Sequence, residues 1–275
     1  MSNANQQGRG EAWLHALTED VKPLDGFSPS VRVADARLDG RAARYIAVVP
    51  DPGNRFYRAR NGEVGLIEGW ELARAVEDIV TRDSGQAAKT AIVAVIDVPS
   101  QAYGRTEEAF GIHQALAGAC AAYAKARLEG HPVIGLIVGA AMSGAFLAHG
   151  YQANRLIAIR DPKVMVHAMG KESAARITLR SVDALESLAA SIPPMAYDID
   201  SYAGLGLLHA SLTLDNPDLP TPQDVALVRQ SLHAALADIL SDPRRDLGSR
   251  LGAVNRQASA TVRELLRKQW HSSPP

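Results

Sequence analysis

The sequence predicts an α/β protein whose sheet is mainly parallel and covered by helices. Ala91–Val98 (AIVAVIDV) and Pro132–Val138 (PVIGLIV) are apolar along their length, as strands buried on both faces must be. Helical periodicity separates such runs, and strands that alternate with helices pair in parallel. At 275 residues and 47% hydrophobic, the chain is long enough for a substantial core. With only 5% aromatic residues, that core must be built from Ala, Val, Leu and Ile.

Residues 1–10 (MSNANQQGRG) are polar and expected to form a disordered tail, with 11–275 as a single domain whose C-terminal part is helical. Helical signals over Glu11–Leu17 give way to a region punctuated by Pro, Gly and Asp. Arg44–Val49 reads as a strand, and Val64–Ile67 as a further short one. Gly69–Val80 is an amphipathic helix, with Leu72, Val76, Ile79 and Val80 opposite Glu71, Arg74, Glu77 and Asp78. The loop Pro99–Thr106 follows the first apolar strand, then a long helix over Glu107–Leu128. After strand 132–138 the spacing predicts a turn of tiny residues, Gly139–Ser143, and a small-residue helix from about Gly144. Arg155–Ile159 is another strand, Val164–His167 a short segment. Helices are expected over Glu172–Thr178, Val182–Ala190, Gln223–Leu240 and Gly252–Gln269, broken at Ile192-Pro193-Pro194 and Asn216–Pro222.

Composition and missing motifs remove several functions. Twenty-nine Lys and Arg against 30 Asp and Glu give no basic surplus for nucleic acid or an anionic membrane. The N-terminus lacks the apolar core of a signal peptide, and no run reaches the length of a membrane span, so a cytoplasmic protein is expected. Cys120 is the single cysteine, which excludes an intrachain disulfide and any multi-cysteine metal site; it reads as a small buried thiol. There is no G-x-x-x-x-G-K-[ST], no G-x-G-x-x-G after a strand and no H-E-x-x-H, so no metal is expected.

Two readings of the tiny turn compete. Ala141-Met142-Ser143-Gly144-Ala145 can be read as a nucleophile elbow, with Asp183, Asp198 or Asp200 and then His209 or His233 in the required order. Against it, both flanking glycines are alanines, and an elbow serine should sit nearer the strand end. In the other reading, two strand ends open side by side into Pro99–Gly104 and Gly139–Gly144, and backbone N–H groups converge on one oxygen.

The second reading acquires a family. Ile96–Glu108 (IDVPSQAYGRTEE) resembles the D-T-P-G-A-Y-P-G-x-x-x-E-E run of acyl-CoA carboxyltransferase subunits. Pro132–Ala145 is similar to their P-V-I-x-x-V-I-G-E-G-G-S-G-G, and Arg155–Ile159 and Val164–Gly170 fall where D-R-V-L-M and V-I-S-P-E-G stand. Order and spacing agree over roughly residues 90–210. The resemblance implies a crotonase-like (ClpP/crotonase) fold and an active site shared between two related halves, of which this chain is like the C-terminal one. The departures are Ala141-Met142 in place of a glycine pair and Ser100-Gln101 in place of G-A; their side chains narrow the space for a carboxybiotin ring. No A-M-K-M biotin-attachment site is present. In length and altered turn the chain resembles the gamma subunits of biotin-independent malonate decarboxylases.

That resemblance implies a chemistry. A homologous beta subunit supplies the other half, and a malonyl thioester on the CoA-like prosthetic arm of an acyl carrier protein loses CO2. No cofactor is bound by this chain. The enolate oxygen is held by the backbone N–H groups of Gly144 and Ala145, with the Ser100–Gln101 peptide opposite. Ala102, Tyr103, Met142, Ser143 and His167 fall on the substrate. Tyr103, His113, His167 and water compete as proton donor, and Arg105 either attracts a carboxylate or phosphate or is solvated. A biotin-dependent carboxyltransferase half and a non-catalytic scaffold subunit remain as alternatives.

Overall fold

The computed structural model describes residues 8–272. The chain enters through α1 (Arg9–Thr18), which begins earlier than the expected tail allows. Arg9 is held in the interior by Asp218 (2.7 Å), Asp161 (3.0 Å) and the Val138 carbonyl (3.2 Å). A buried guanidinium with two carboxylates and a carbonyl cannot belong to a disordered segment. The tail boundary at residue 10 is therefore corrected, and residues 1–7 of that expectation lie outside the described residues.

β1 (Val31–Leu38) and β2 (Arg41–Val48) form an antiparallel hairpin turned by Asp39-Gly40, with φ of 50° and 72°. Positive φ at both turn residues supplies the twist that a two-residue hairpin needs, and Asp-Gly is a strong sequence sign of it. β1 escaped the sequence reading because VRVADARL is broken by charge: its Asp35 receives Arg44 of β2 through two hydrogen bonds of 2.7 and 2.8 Å. The strand expected at Val64–Ile67 is a single bridge, Val64 with Gln101, and α2 (Leu66–Arg82) begins there instead. Buried Glu68 decides this. Its carboxylate accepts from the Gly65 N–H (2.9 Å), the Ser30 hydroxyl (2.6 Å) and the Asn54 amide (2.7 Å), fixing a helix start.

β3 (Ala91–Val98) matches the expected strand end to end. The long helix after it is two, α3 (Arg105–Ala109) and α4 (Ile112–Leu128), because Gly111 takes a φ of 79°. α4 packs on α2 through small residues. A Cβ on Gly69 would lie 2.8 Å from the Ala115 carbonyl carbon, so glycine lets the two backbones approach. Cys120 on α4 is half-buried and free.

β4 (Val133–Met142), β5 (Arg155–Ile159) and β7 (Ala210–Leu212) continue the sheet in the order β1-β2-β3-β4-β5-β7, parallel from β2 onward. The edge of β4 away from β3 is shared lengthwise. Ile134–Ile137 pair with β5, whereas Ala140–Met142 pair with β6 (Met165–His167). β5 and β6 thus diverge at the C-terminal end of β4, where α5 (Ser143–Ala148) starts. The remaining helices are α6 (Lys171–Thr178), α7 (Val182–Ala189), α8 (Ile199–Gly204), α9 (Pro222–Ser241) and α10 (Gln257–Ser272). Sequence reading missed α8 and β7, elements of six and three residues. The core is the aliphatic one that the composition demanded: Ile92, Ile96, Ile134 and Leu136 are fully buried between the layers.

One buried polar cluster has a testable signature. His149 accepts from the Tyr123 hydroxyl at Nδ1 (3.1 Å) and donates from Nε2 to the Val95 carbonyl (3.0 Å). Burial pulls its pKa from 6.5 down to about 4. The unfolded chain binds this proton at a higher pH than the folded one, so stability is complete above pH 6.5 and falls as the pH drops toward 4. The loss is about 3 kcal/mol for this group, and buried His131 acts in the same direction. Urea midpoints measured from pH 7 to 4.5 should fall in the native protein and flatten in His149→Gln. An unchanged slope in the variant refutes the assignment.

Candidate functional site at the corner between β4 and α5

The expected five-residue turn is shorter in the structure. Gly139–Met142 remain in β4, with Ala141 opposite Val98 of β3 and Met142 opposite His167 of β6. The tiny residues serve Asp97. A Cβ on Gly139 would lie 2.0 Å from Asp97 Oδ1, which accepts the Ala140 N–H at 3.1 Å, and the β3–β4 register shifts between Ile96 and Val98. Asp97 Oδ2 also accepts the Gly10 N–H (3.4 Å), tying α1 to the sheet. Gly139 is therefore explained by the approach of a carboxylate.

The reversal falls on Ser143, with a left-handed φ of 57°. That conformation costs a non-glycine residue about 1–2 kcal/mol. It is held by the Ser143 hydroxyl donating to the Ala168 carbonyl at 2.7 Å. Ser143 thus stands directly after the strand, and the objection that it lies too far from the strand end is corrected. The elbow reading fails on its partners instead. His209 sits 3.8 Å from Asp238, His233 lies on α9, and neither lines the cavity beside Ser143. Asp198 caps α8 through the Ser201 N–H (2.8 Å), and Asp200 pairs with Arg160 (2.7 Å).

The two loops do meet. The Gly144 N–H donates to the side-chain oxygen of Gln101, Oε1, at 2.8 Å. The Gln101 backbone is fixed from the other side, since Val64 donates to the Ser100 carbonyl (3.1 Å) and accepts from the Ala102 N–H (2.8 Å). Ser100 Oγ donates to the Gln101 carbonyl (2.9 Å), as does the Tyr103 N–H (3.0 Å). Ala102, Met142 and Ala145 turn their side chains into the interior, where they are at most 4% exposed. Ala141 is buried as well. The side chain beside the Gly144 N–H is therefore that of Gln101, whereas Ala141 and Met142, expected there, are buried and do not line the adjoining cavity.

A cavity of about 380 Å³ opens beside this corner, lined by Ser143, Gly144, Phe146, Tyr151, His167 and Tyr202 among others. His167 stacks on Tyr197 with ring centroids 3.9 Å apart, and its Nδ1 faces the Met169 backbone at 3.1–3.3 Å. Burial lowers its pKa, opposed by the Met169 contact, and so favours the neutral imidazole. The Tyr202 hydroxyl is buried with no hydrogen-bond partner. Its place in the missed α8 hid it from sequence reading. Tyr103 is 55% exposed, and His113 faces outward from α4. Arg105 opens α3. Among the described residues no group of three or more His, Cys, Asp or Glu could hold a metal ion, and no helix is long and apolar enough to cross a membrane.

The mostly parallel sheet, split at β4 between β5 and β6, is a fold of the crotonase type. Transcarboxylase 12S shares this fold, with a TM-score of 0.63 at 19% identity, covering 88% of this chain and 43% of that one. The model of the family described as malonate decarboxylase gamma subunit matches residues 59–270, and the chain belongs to that family. It is 65% identical to a chain of a Pseudomonas malonate decarboxylase hetero-tetramer crystallised with coenzyme A (TM-score 0.92, covering 96% of this chain and 100% of that one). It is 62% identical to a chain of the Pseudomonas MdcD-MdcE hetero-dimer (TM-score 0.88, with the same coverage). A curated relative, the malonyl-S-ACP:biotin-protein carboxyltransferase MADD of Malonomonas rubra, is 34% identical over 155 residues, or 55% of this chain. The chain spans about half of that relative, 53% of its length.

Proposed function

We propose that this chain is half of a decarboxylating pair. Together with a homologous beta subunit it converts a malonyl thioester, carried on the CoA-like arm of an acyl carrier protein, into the acetyl thioester and CO2. The observation that carries this reading is the meeting of the two loops at the C-terminal end of a parallel sheet, where the Gly144 N–H holds the Gln101 side-chain amide by its oxygen at 2.8 Å. The bond between the α-carbon and the carboxylate breaks. Its electron pair moves onto the α-carbon and the thioester oxygen, and CO2 departs. A donor fixed beforehand lowers this barrier because it needs no reorganisation as charge develops, and one such donor is worth about 3–4 kcal/mol. The α-carbon then takes a proton, from water at the cavity mouth or from the protonated fraction of His167 on its wall. The Pseudomonas complexes support the reading: one is a hetero-dimer, the other a hetero-tetramer in complex with coenzyme A.

The name of the Malonomonas relative favours a second reading, carboxyl transfer to a biotin protein. The two differ in whether a biotin-carrying protein takes part, which avidin reports. The assembled complex should turn malonyl thioester into acetyl thioester and CO2 at the same rate with or without avidin. Inhibition by avidin, or a need for added biotin, overturns decarboxylation without a carrier and establishes the second reading.

A further inference from the structure

We propose that the side-chain amide of Gln101 is the group that meets the substrate's thioester oxygen, and that the Gly144 N–H acts through it. This rests on the decarboxylation reading above and names the atom that does the work. An N–H can only donate, so the Gln101 atom facing Gly144 at 2.8 Å must be the oxygen. The amide nitrogen, Nε2, carries two hydrogens and is not among the buried atoms left without a partner, so it reaches solvent. Among the described residues nothing accepts from it.

Two anchors make this amide rigid. Its oxygen is pinned to the start of α5, and its backbone is bracketed by the Val64 bridge. The Gly144 N–H is already taken by that oxygen. A Cβ on Gly144 would lie 3.3 Å from Gln101 Oε1 and 3.4 Å from Leu116 Cδ1, so the amide packs closely against this glycine. An amide whose oxygen accepts a hydrogen bond is polarised, and its N–H groups donate more strongly. Side-chain amides serve as oxyanion donors in acyl-transfer sites for the same reason. Gln101 thereby passes the polarisation by the Gly144 N–H on to an amide N–H that reaches solvent.

The test uses the complex with its beta subunit and malonyl-CoA as probe. Gln101→Leu removes the donor and should lower kcat by about 10²–10³-fold, with KM changed less than about threefold. Gln101→Glu keeps an acceptor for the Gly144 N–H but donates only when protonated. Its kcat relative to native should therefore rise as the pH falls from 7.5 to 5.5, a rescue that a packing role would not give. If Gln101 is only a plug that substrate displaces, Gln101→Leu raises kcat or lowers KM, which overturns the proposal. Equal losses in both variants, with no rise at low pH, overturn it as well. Absence of turnover by the native complex overturns the decarboxylation reading together with this one. Native turnover with an unaffected Gln101→Leu overturns this one alone.

Discussion

Gly144→Pro is expected to abolish malonyl-thioester decarboxylation by the assembled complex, a loss of at least about 10³-fold, while Ser143→Ala stays within about tenfold of native. Proline deletes the N–H that holds Gln101 Oε1 at 2.8 Å, so both the donor and the anchor of the amide are lost. The first turn of a helix tolerates proline, but proline also disfavours the left-handed conformation of Ser143 before it. Circular dichroism and partner binding must therefore show that each variant is folded. Gly144→Val is the companion variant: it keeps the N–H but sets bulk against Leu116 and Gln101, where a single Cβ already has contacts of 3.3–3.5 Å. It should also inactivate. Ser143 offers a hydroxyl whose recorded partner is the Ala168 carbonyl, a bond worth about 1 kcal/mol. A nucleophilic serine would reverse the order, because losing the hydroxyl removes the reaction path itself. Loss of three or more orders of magnitude in folded Ser143→Ala, measured by release of CO2, replaces this mechanism with a covalent one.

The central strands and the site loops were legible in the sequence because their residues have one structural use. AIVAVIDV can only be a strand covered on both faces, and it is β3 to the residue. The corner was legible as a place but not in its geometry. Gly139-Ala140-Ala141 looked like a turn because small residues mark close approach, and close approach is what they provide. The approaching group is the Asp97 carboxylate, from 43 residues upstream of Ala140, a partner that local pattern cannot name. Gln101 was marked for its peptide group, whereas the side chain does the pairing. The direction of a long side chain depends on tertiary neighbours, here Gly144 and the Val64 bridge. The Asp39-Gly40 hairpin is a different case. Its signal was present in the sequence and was masked by the charges of β1, which Arg44 and Asp35 satisfy across the strands.

The isolated chain is expected to have less than about 1% of the turnover of the complex, because the donor needs a site closed to water to be worth its full energy. In this chain the corner is open. Tyr103, Phe110 and Leu147, on the segments after β3, between α3 and α4 and in α5, are 55%, 71% and 50% exposed. Large apolar side chains on adjoining segments are what a partner's surface covers, and their burial both drives association and excludes water. The Gln101 amide and the 380 Å³ cavity would then face the other half of the site. Sedimentation of the chain alone, of the beta subunit alone and of the mixture, each followed by assay on malonyl-CoA, checks this. The mixture should form a stable complex and recover the activity that neither chain has. Full turnover by the chain as a lone monomer would falsify the shared site, since every group needed for the reaction would then lie within these 275 residues.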